Sequence, residues 1–197
     1  AETNRQTLCE RDDMASCTDV SSDGTYIFPR QLHAVVHWNF GYCDALTHIY
    51  LHDAVTSIQN FAFREADNLR TVTFGDGLTS IGSNAFYHAL KLTDVVLPDS
   101  LLTIGSSAFD TTAITTLTVP DSVHEIKASC FRDCASLNSV YLGDSITRID
   151  VAAFTGTNLA NVCTKSAEAQ TRVANLYAWA AEEISVDVCH SGGAAMQ

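Results

Sequence analysis

Basic residues are scarce in this chain. Lysine and arginine number 11 against 23 acidic residues, a net charge of −12 with histidine neutral. Such a surface repels phosphate backbones and no basic cluster offsets it, so nucleic acid is disfavoured as a partner. No run of about 18 apolar residues occurs, so nothing spans a bilayer by itself. The orders G-x-S-x-G, H-E-x-x-H, C-x-x-C and a Gly-rich phosphate loop are all missing. Glu182 and Glu183 are neighbours on a helical segment and do not face one another. Neither enzyme activity nor a cofactor is expected. None of the nine Asn residues stands in an N-x-S/T context, and the first residue is Ala rather than Met. That start predicts a mature chain from which a signal or transit peptide has been removed.

What is present is apolar content and cysteine. Of the 197 residues, 46% are hydrophobic and 17% charged, enough for one packed domain with small terminal caps. Seven cysteines point to an oxidising compartment.

The chain also repeats itself. Phe63, Phe86, Phe109, Phe131 and Phe154 lie 23, 23, 22 and 23 residues apart, and all but Phe131 follow Ala. Ile58, Ile81, Ile104, Ile126 and Ile149 each stand five residues before those rings. A third column runs Leu46, Leu69, Leu92, Ile114, Leu137 and Leu159, and a fourth Asp53, Asp76, Asp99, Asp121 and Asp144. Tyr26 to Leu46 fits a degenerate first copy, with Val35 in the Ile column and Phe40 in the Phe column. In LTDVVLP, Leu92, Val95 and Leu97 place apolar side chains on one face of a short strand. Pro98-Asp99-Ser100 ends that strand, and LLTIGSSAF returns with Ile104, Ala108 and Phe109 inward. One unit has too little apolar surface to bury alone, whereas stacked copies share a continuous core. The expected fold is an α/β repeat solenoid, right-handed, with 22–23-residue repeats and short parallel strands.

The phrase L-x-x-V-x-L-P-D-S-V-x-x-I-G-x-x-A-F, best matched by Leu92 to Phe109 and Ile114 to Phe131, resembles the BspA-like leucine-rich repeats. The resemblance implies secreted or cell-surface binding and adhesion proteins without catalysis. The family's Gly-Cys after the Phe is met only approximately, by Gly41-Tyr42-Cys43 and Asp133-Cys134.

The expected organisation is an N-terminal cap at 1–25, about six repeats at 26–162, and a helical cap and tail at 163–197. Val173, Leu176, Tyr177 and Ala180 form the apolar stripe of the capping helix. Cys43 and Cys134 stand where Ala66 and Ala89 stand, and Cys130 replaces the Ala before Phe, so all three are expected to be buried and unpaired. That leaves Cys9 with Cys17 and Cys163 with Cys189, with Cys163 facing outward towards the helical cap.

Histidines 33, 37, 48 and 52 surround Cys43, but they fall on different segments of the repeat, which argues against a metal site. The Asp column supplies one carboxylate per turn, too few for calcium, and turn chemistry explains it. The outward strand positions are His48 and Tyr50, Thr71 and Thr73, Asp94 and Val96, Thr116 and Thr118, then Ser139 and Tyr141. This nearly uncharged row suits recognition, and plain β propensity accounts for it as well. Its Thr pairs are too interrupted for an ice-binding lattice.

Two roles follow. One is a non-catalytic protein-binding module, secreted or at a cell surface. The other is a docking or linker subunit of a larger assembly, peripheral to a membrane complex in an oxidising lumen such as the thylakoid's. The partner in either case is protein.

Overall fold

A computed structural model of the chain describes residues 17–37, 39–150, 152–177 and 186–188. Each repeat forms two short strands joined by turns, and every pairing is parallel to the equivalent strand of the next repeat. Numbered along the chain, the strands of one face are β1 (Thr25–Ile27), β3 (His48–Tyr50), β5 (Thr71–Thr73), β7 (Asp94–Val95), β9 (Thr116–Val119), β11 (Ser139–Leu142), β13 (Asn161–Thr164) and β14 (Val186–Val188). The return strands are β2 (Ala34–Val35), β4 (Ser57–Ile58), β6 (Ser80–Ile81), β8 (Thr103–Ile104), β10 (Glu125–Ile126) and β12 (Arg148–Ile149). The result is the expected leucine-rich repeat solenoid of about six turns. Its one α-helix among the described residues, α1 (Ala167–Tyr177), lies at the C-terminal end.

The return path is too short and too irregular to be helical, so its amides bond sideways instead. Phe63 N–H donates to Ala85 O and Phe86 N–H to Ala108 O, both at 2.7 Å, one rung further on. Two columns flanking the Phe adopt left-handed backbone: Glu65, His88, Thr111 and Asp133 after it, and Phe61, Asn84, Ser107 and Ser129 before it, with φ between 54° and 62°. That conformation costs about 1–2 kcal/mol per non-glycine residue, offset by the rung-to-rung bonds that fix it. Rungs approach closely at Gly82, where a Cβ would lie 2.5 Å from Asn60 N.

The interior is a single apolar column. Phe40, Phe63, Phe86, Phe109, Phe131 and Phe154 stack ring on ring, with centroids 4.9–5.5 Å apart and planes within 9° of parallel. The Ile and Leu columns are buried beside them, apart from a partly exposed Leu159. The pairing is interrupted once, between β7 and β9 and likewise between β8 and β10, where the spacing falls to 22 residues. Turn amides bridge that seam, Phe109 N–H to Cys130 O at 2.9 Å and Thr111 N–H to Arg132 O at 2.8 Å. A fully buried Asp110 sits there, 2.8 Å from the half-exposed Arg132 guanidinium.

The cysteines require a correction. Cys17 bonds to Cys43, not to Cys9, and Cys43 is therefore not free. Cys43 occupies the small slot of the first turn, where the cap lies against the stack, and its Cα is 5.7 Å from that of Cys17. Cys9 lies outside the described residues. Cys130 and Cys134 are buried and unpaired, as the columns predict. Cys163 is disulfide-bonded, and its expected partner Cys189 lies outside the described residues. Cys163 takes the expected outward position, in register with Tyr141, and is only 8% exposed where α1 packs over β13. Val173 of α1 is buried, while Ala180, Glu182, Glu183 and the side chains of Leu176 and Tyr177 lie outside the described residues.

Candidate binding face

Strand register turns the outward positions into two continuous rows. Pairings place Thr25, His48, Thr71 and Asp94 in one file, continued by Thr116, Ser139 and Asn161 beyond the seam. The second file runs Ile27, Tyr50 and Thr73, then Thr118, Tyr141 and Cys163, with Val96 immediately after β7. Between the files the chain turns Ile49, Val72, Val95, Leu117 and Val140 into the core. The alternation of a half-buried strand makes both rows at once.

The second row is apolar and open. Val96 is 82% exposed, Ile27 74%, Tyr50 47% and Tyr141 41%. These four comprise most of the large exposed hydrophobic side chains among the described residues, the others being Leu90 and Leu102. Thr71, Thr73, Phe74, Asp94, Val96 and Pro98 line a shallow depression of about 430 Å³ beside the seam. Ile27 is the residue that sequence reading missed. It stands 23 residues before Tyr50, so the repeat period alone could have placed it.

The first row is polar and satisfied locally. Thr47 Oγ1 lies 2.7 Å from His48 Nδ1, Thr93 donates to Asp94 Oδ2 at 3.1 Å, and Ser139 donates to Asn138 Oδ1 at 2.8 Å. From β1 to β13 Asp94 is the only charge in either row, and Asp187, in register with Cys163, continues the second file on β14.

The histidines do not converge. His33 and His37 are exposed on the return segment, whereas His52 Nε2 lies 3.0 Å from Pro29 O and its Nδ1 accepts from Ala54 N–H at 3.2 Å. Among the described residues no three His, Cys, Asp or Glu side chains gather as metal ligands. The Asp column instead closes turns between rungs: Asp76 N–H donates to Asp53 Oδ1 at 3.2 Å, and Asp144 N–H to Asp121 Oδ1 at 2.9 Å. Asp121 Oδ2 also receives Lys165 Nζ at 2.6 Å. That hydrogen bond, followed by the Asp144 amide, holds the Asp121 carboxyl below the usual carboxylate range. No described helix is long and apolar enough to cross a membrane.

The BspA type leucine rich repeat region matches residues 33–166 in six copies. The chain belongs to this family. Solved structures agree with the assignment. A leucine-rich repeat protein from Bacteroides ovatus is 26% identical with a TM-score of 0.67, covering 72% of this chain and 39% of its own. The T. pallidum leucine rich repeat protein is also 26% identical, TM-score 0.60, over 73% of this chain and 74% of its own. A leucine rich cell surface protein from Faecalibacterium prausnitzii is 36% identical, TM-score 0.56, over 60% of this chain and 32% of its own. This BspA-type chain thus spans about two-fifths of the Bacteroides protein. No curated protein matches it.

Proposed function

We propose that this BspA-type solenoid is a non-catalytic protein-binding module, and that it binds through its strand face. The observation carrying this reading is the set of outward apolar side chains Ile27, Tyr50, Val96 and Tyr141, at equivalent positions on either side of the seam and left open on a nearly uncharged face. Exposed aromatic and aliphatic side chains on a rigid sheet bury area at little entropic cost, which is what a recognition surface needs. Interruption of the Thr positions by His48, Tyr50, Asp94 and Val96 favours a protein over a lattice. His48, Thr71, Thr73, Thr116, Thr118 and Ser139 would supply the polar part of the contact.

Export to an oxidising space is part of the proposal. The Cys17–Cys43 bridge supports it, because such bonds persist outside the reducing cytosol. The cell-surface description of the Faecalibacterium relative points the same way.

The experiment is crosslinking of surface-displayed protein carrying a photoreactive residue at position 50 or 141, with the captured protein identified by mass. Tyr50→Ala with Tyr141→Ala should abolish capture while the thermal transition stays put. Capture that survives this pair but is lost on substituting the return face would refute the strand-face reading.

A further inference from the structure

The two flanks of the strand face differ in charge. One flank carries the exposed carboxylates of Asp53, Asp76 and Asp99, and among the described residues no Lys or Arg lies within salt-bridge distance of them. The other flank mixes Arg70 and Lys91, the latter donating to Asn68 at 2.6 Å, with the carboxylates of Asp44 and Asp67.

The chain itself shows what that acidic flank does with a cation. Asp121 spends Oδ1 on the next rung's amide and leaves Oδ2 to Lys165. Asp53 makes the same Oδ1 bond to Asp76 N–H, but with no lysine at Oδ2. The intramolecular pair is therefore a template for an intermolecular one.

Spacing selects the partner. Rungs are about 4.8 Å apart, close to the ~5–6 Å between helix positions i and i+4. Asp53 stands three residues beyond Tyr50, in the turn after β3, so at most about 10 Å of chain separates them, within the ~10 Å width of a helix. An extended strand repeats its side chains every ~6.8 Å on one face and falls out of step sooner.

We infer that the face receives an amphipathic helix lying across the rungs, its apolar stripe on Tyr50, Val96 and Tyr141 and a flanking Lys/Arg row on Asp53, Asp76 and Asp99. This rests on the strand-face reading above and names its partner.

The test titrates the whole chain against a synthetic helix with leucines at i, i+3, i+4 and i+7 and lysines along one flank, read by fluorescence anisotropy. A Leu/Glu isomer is the comparison. The triple variant Asp53→Asn, Asp76→Asn, Asp99→Asn leaves an amide oxygen at each position, so residue 53 still accepts from the residue 76 N–H and that turn stays closed. It should weaken Leu/Lys binding about tenfold, as three exposed charge pairs would, and remove most of its salt dependence. Asp44→Asn, Asp133→Asn, Glu168→Gln changes net charge equally and should leave binding intact. Equal loss in both triples, or equal binding of the Leu/Glu helix, would overturn the inference. If Tyr50→Ala with Tyr141→Ala weakens binding but the ladder triple does not, the helix polarity is wrong and the face reading survives. If the tyrosine pair has no effect, both fall.

Discussion

The phenylalanine column offers the sharpest test of what holds the stack together. Phe86 is fully buried and lies between Phe63 at 4.9 Å and Phe109 at 5.1 Å, with Phe74 edge-on at 6.1 Å. Truncating a buried Phe to Ala costs about 3–5 kcal/mol through lost transfer energy and the cavity left behind. Two stacked neighbours place Phe86→Ala at the upper end, about 5 kcal/mol, because each ring pair adds roughly 0.5–1.5 kcal/mol beyond burial. Phe154, 8% exposed and stacked on Phe131 at the end of the column, should lose about 3 kcal/mol on the same change. Phe86→Leu keeps most of the volume and loses the stacking, so about 1–2 kcal/mol is expected. Equilibrium urea unfolding followed by far-ultraviolet circular dichroism gives these differences, and the double variant Phe63→Leu, Phe86→Leu isolates the coupling. If the central and terminal alanine variants lose the same stability, or if Phe86→Leu costs nothing, the stacked rings are merely packed volume and the reasoning fails.

Other perturbations reach different parts of the molecule. At the seam, Arg132→Ala strands a fully buried carboxylate and should cost about 3–5 kcal/mol, whereas Asp110→Ala leaves a half-exposed guanidinium free to reach water and should cost nearer 1–2 kcal/mol; paired urea titrations decide the order. Removing the Cys17–Cys43 bridge, which closes 26 residues, by Cys17→Ala with Cys43→Ala should lower stability by about 3.5 kcal/mol on the chain-entropy estimate, measured as a shift in urea midpoint. Burial pushes the Cys130 and Cys134 thiols well up, so maleimide labelling of the native protein near neutral pH should spare both until unfolding. Burial also raises the Tyr26 phenol to about 12, with Asp19 adding to it. The folded state holds that proton more tightly than the unfolded one, so stability is intact below pH 10 and falls as pH rises towards 12. Tyr26→Phe should flatten that part of the pH–stability curve.

Period and pattern alone determined the scaffold. Hydrophobic residues that recur at a fixed interval in three columns have one economical burial, a stack in which each column becomes a ladder, so Phe63 to Phe154 and Ile58 to Ile149 could be placed without coordinates. Even the outward row was legible, because strand alternation is local and Ile27 obeys it as Tyr50 does. The cysteine pairing was not local. Cys17 and Cys43 meet only because the cap folds onto the open end of the first turn, and elimination by column could not see which thiol that end exposes. Cys163 is buried for the same kind of reason, since α1 covers the last rung. The buried Asp110–Arg132 pair and the seam beside it also needed the third dimension: a one-residue shortening is visible as a 22-residue step, but which backbone pairings it breaks depends on how neighbouring rungs settle. Repetition writes contacts between equivalent positions into the sequence. Contacts at the ends and at irregular rungs join inequivalent positions, and only folding decides those.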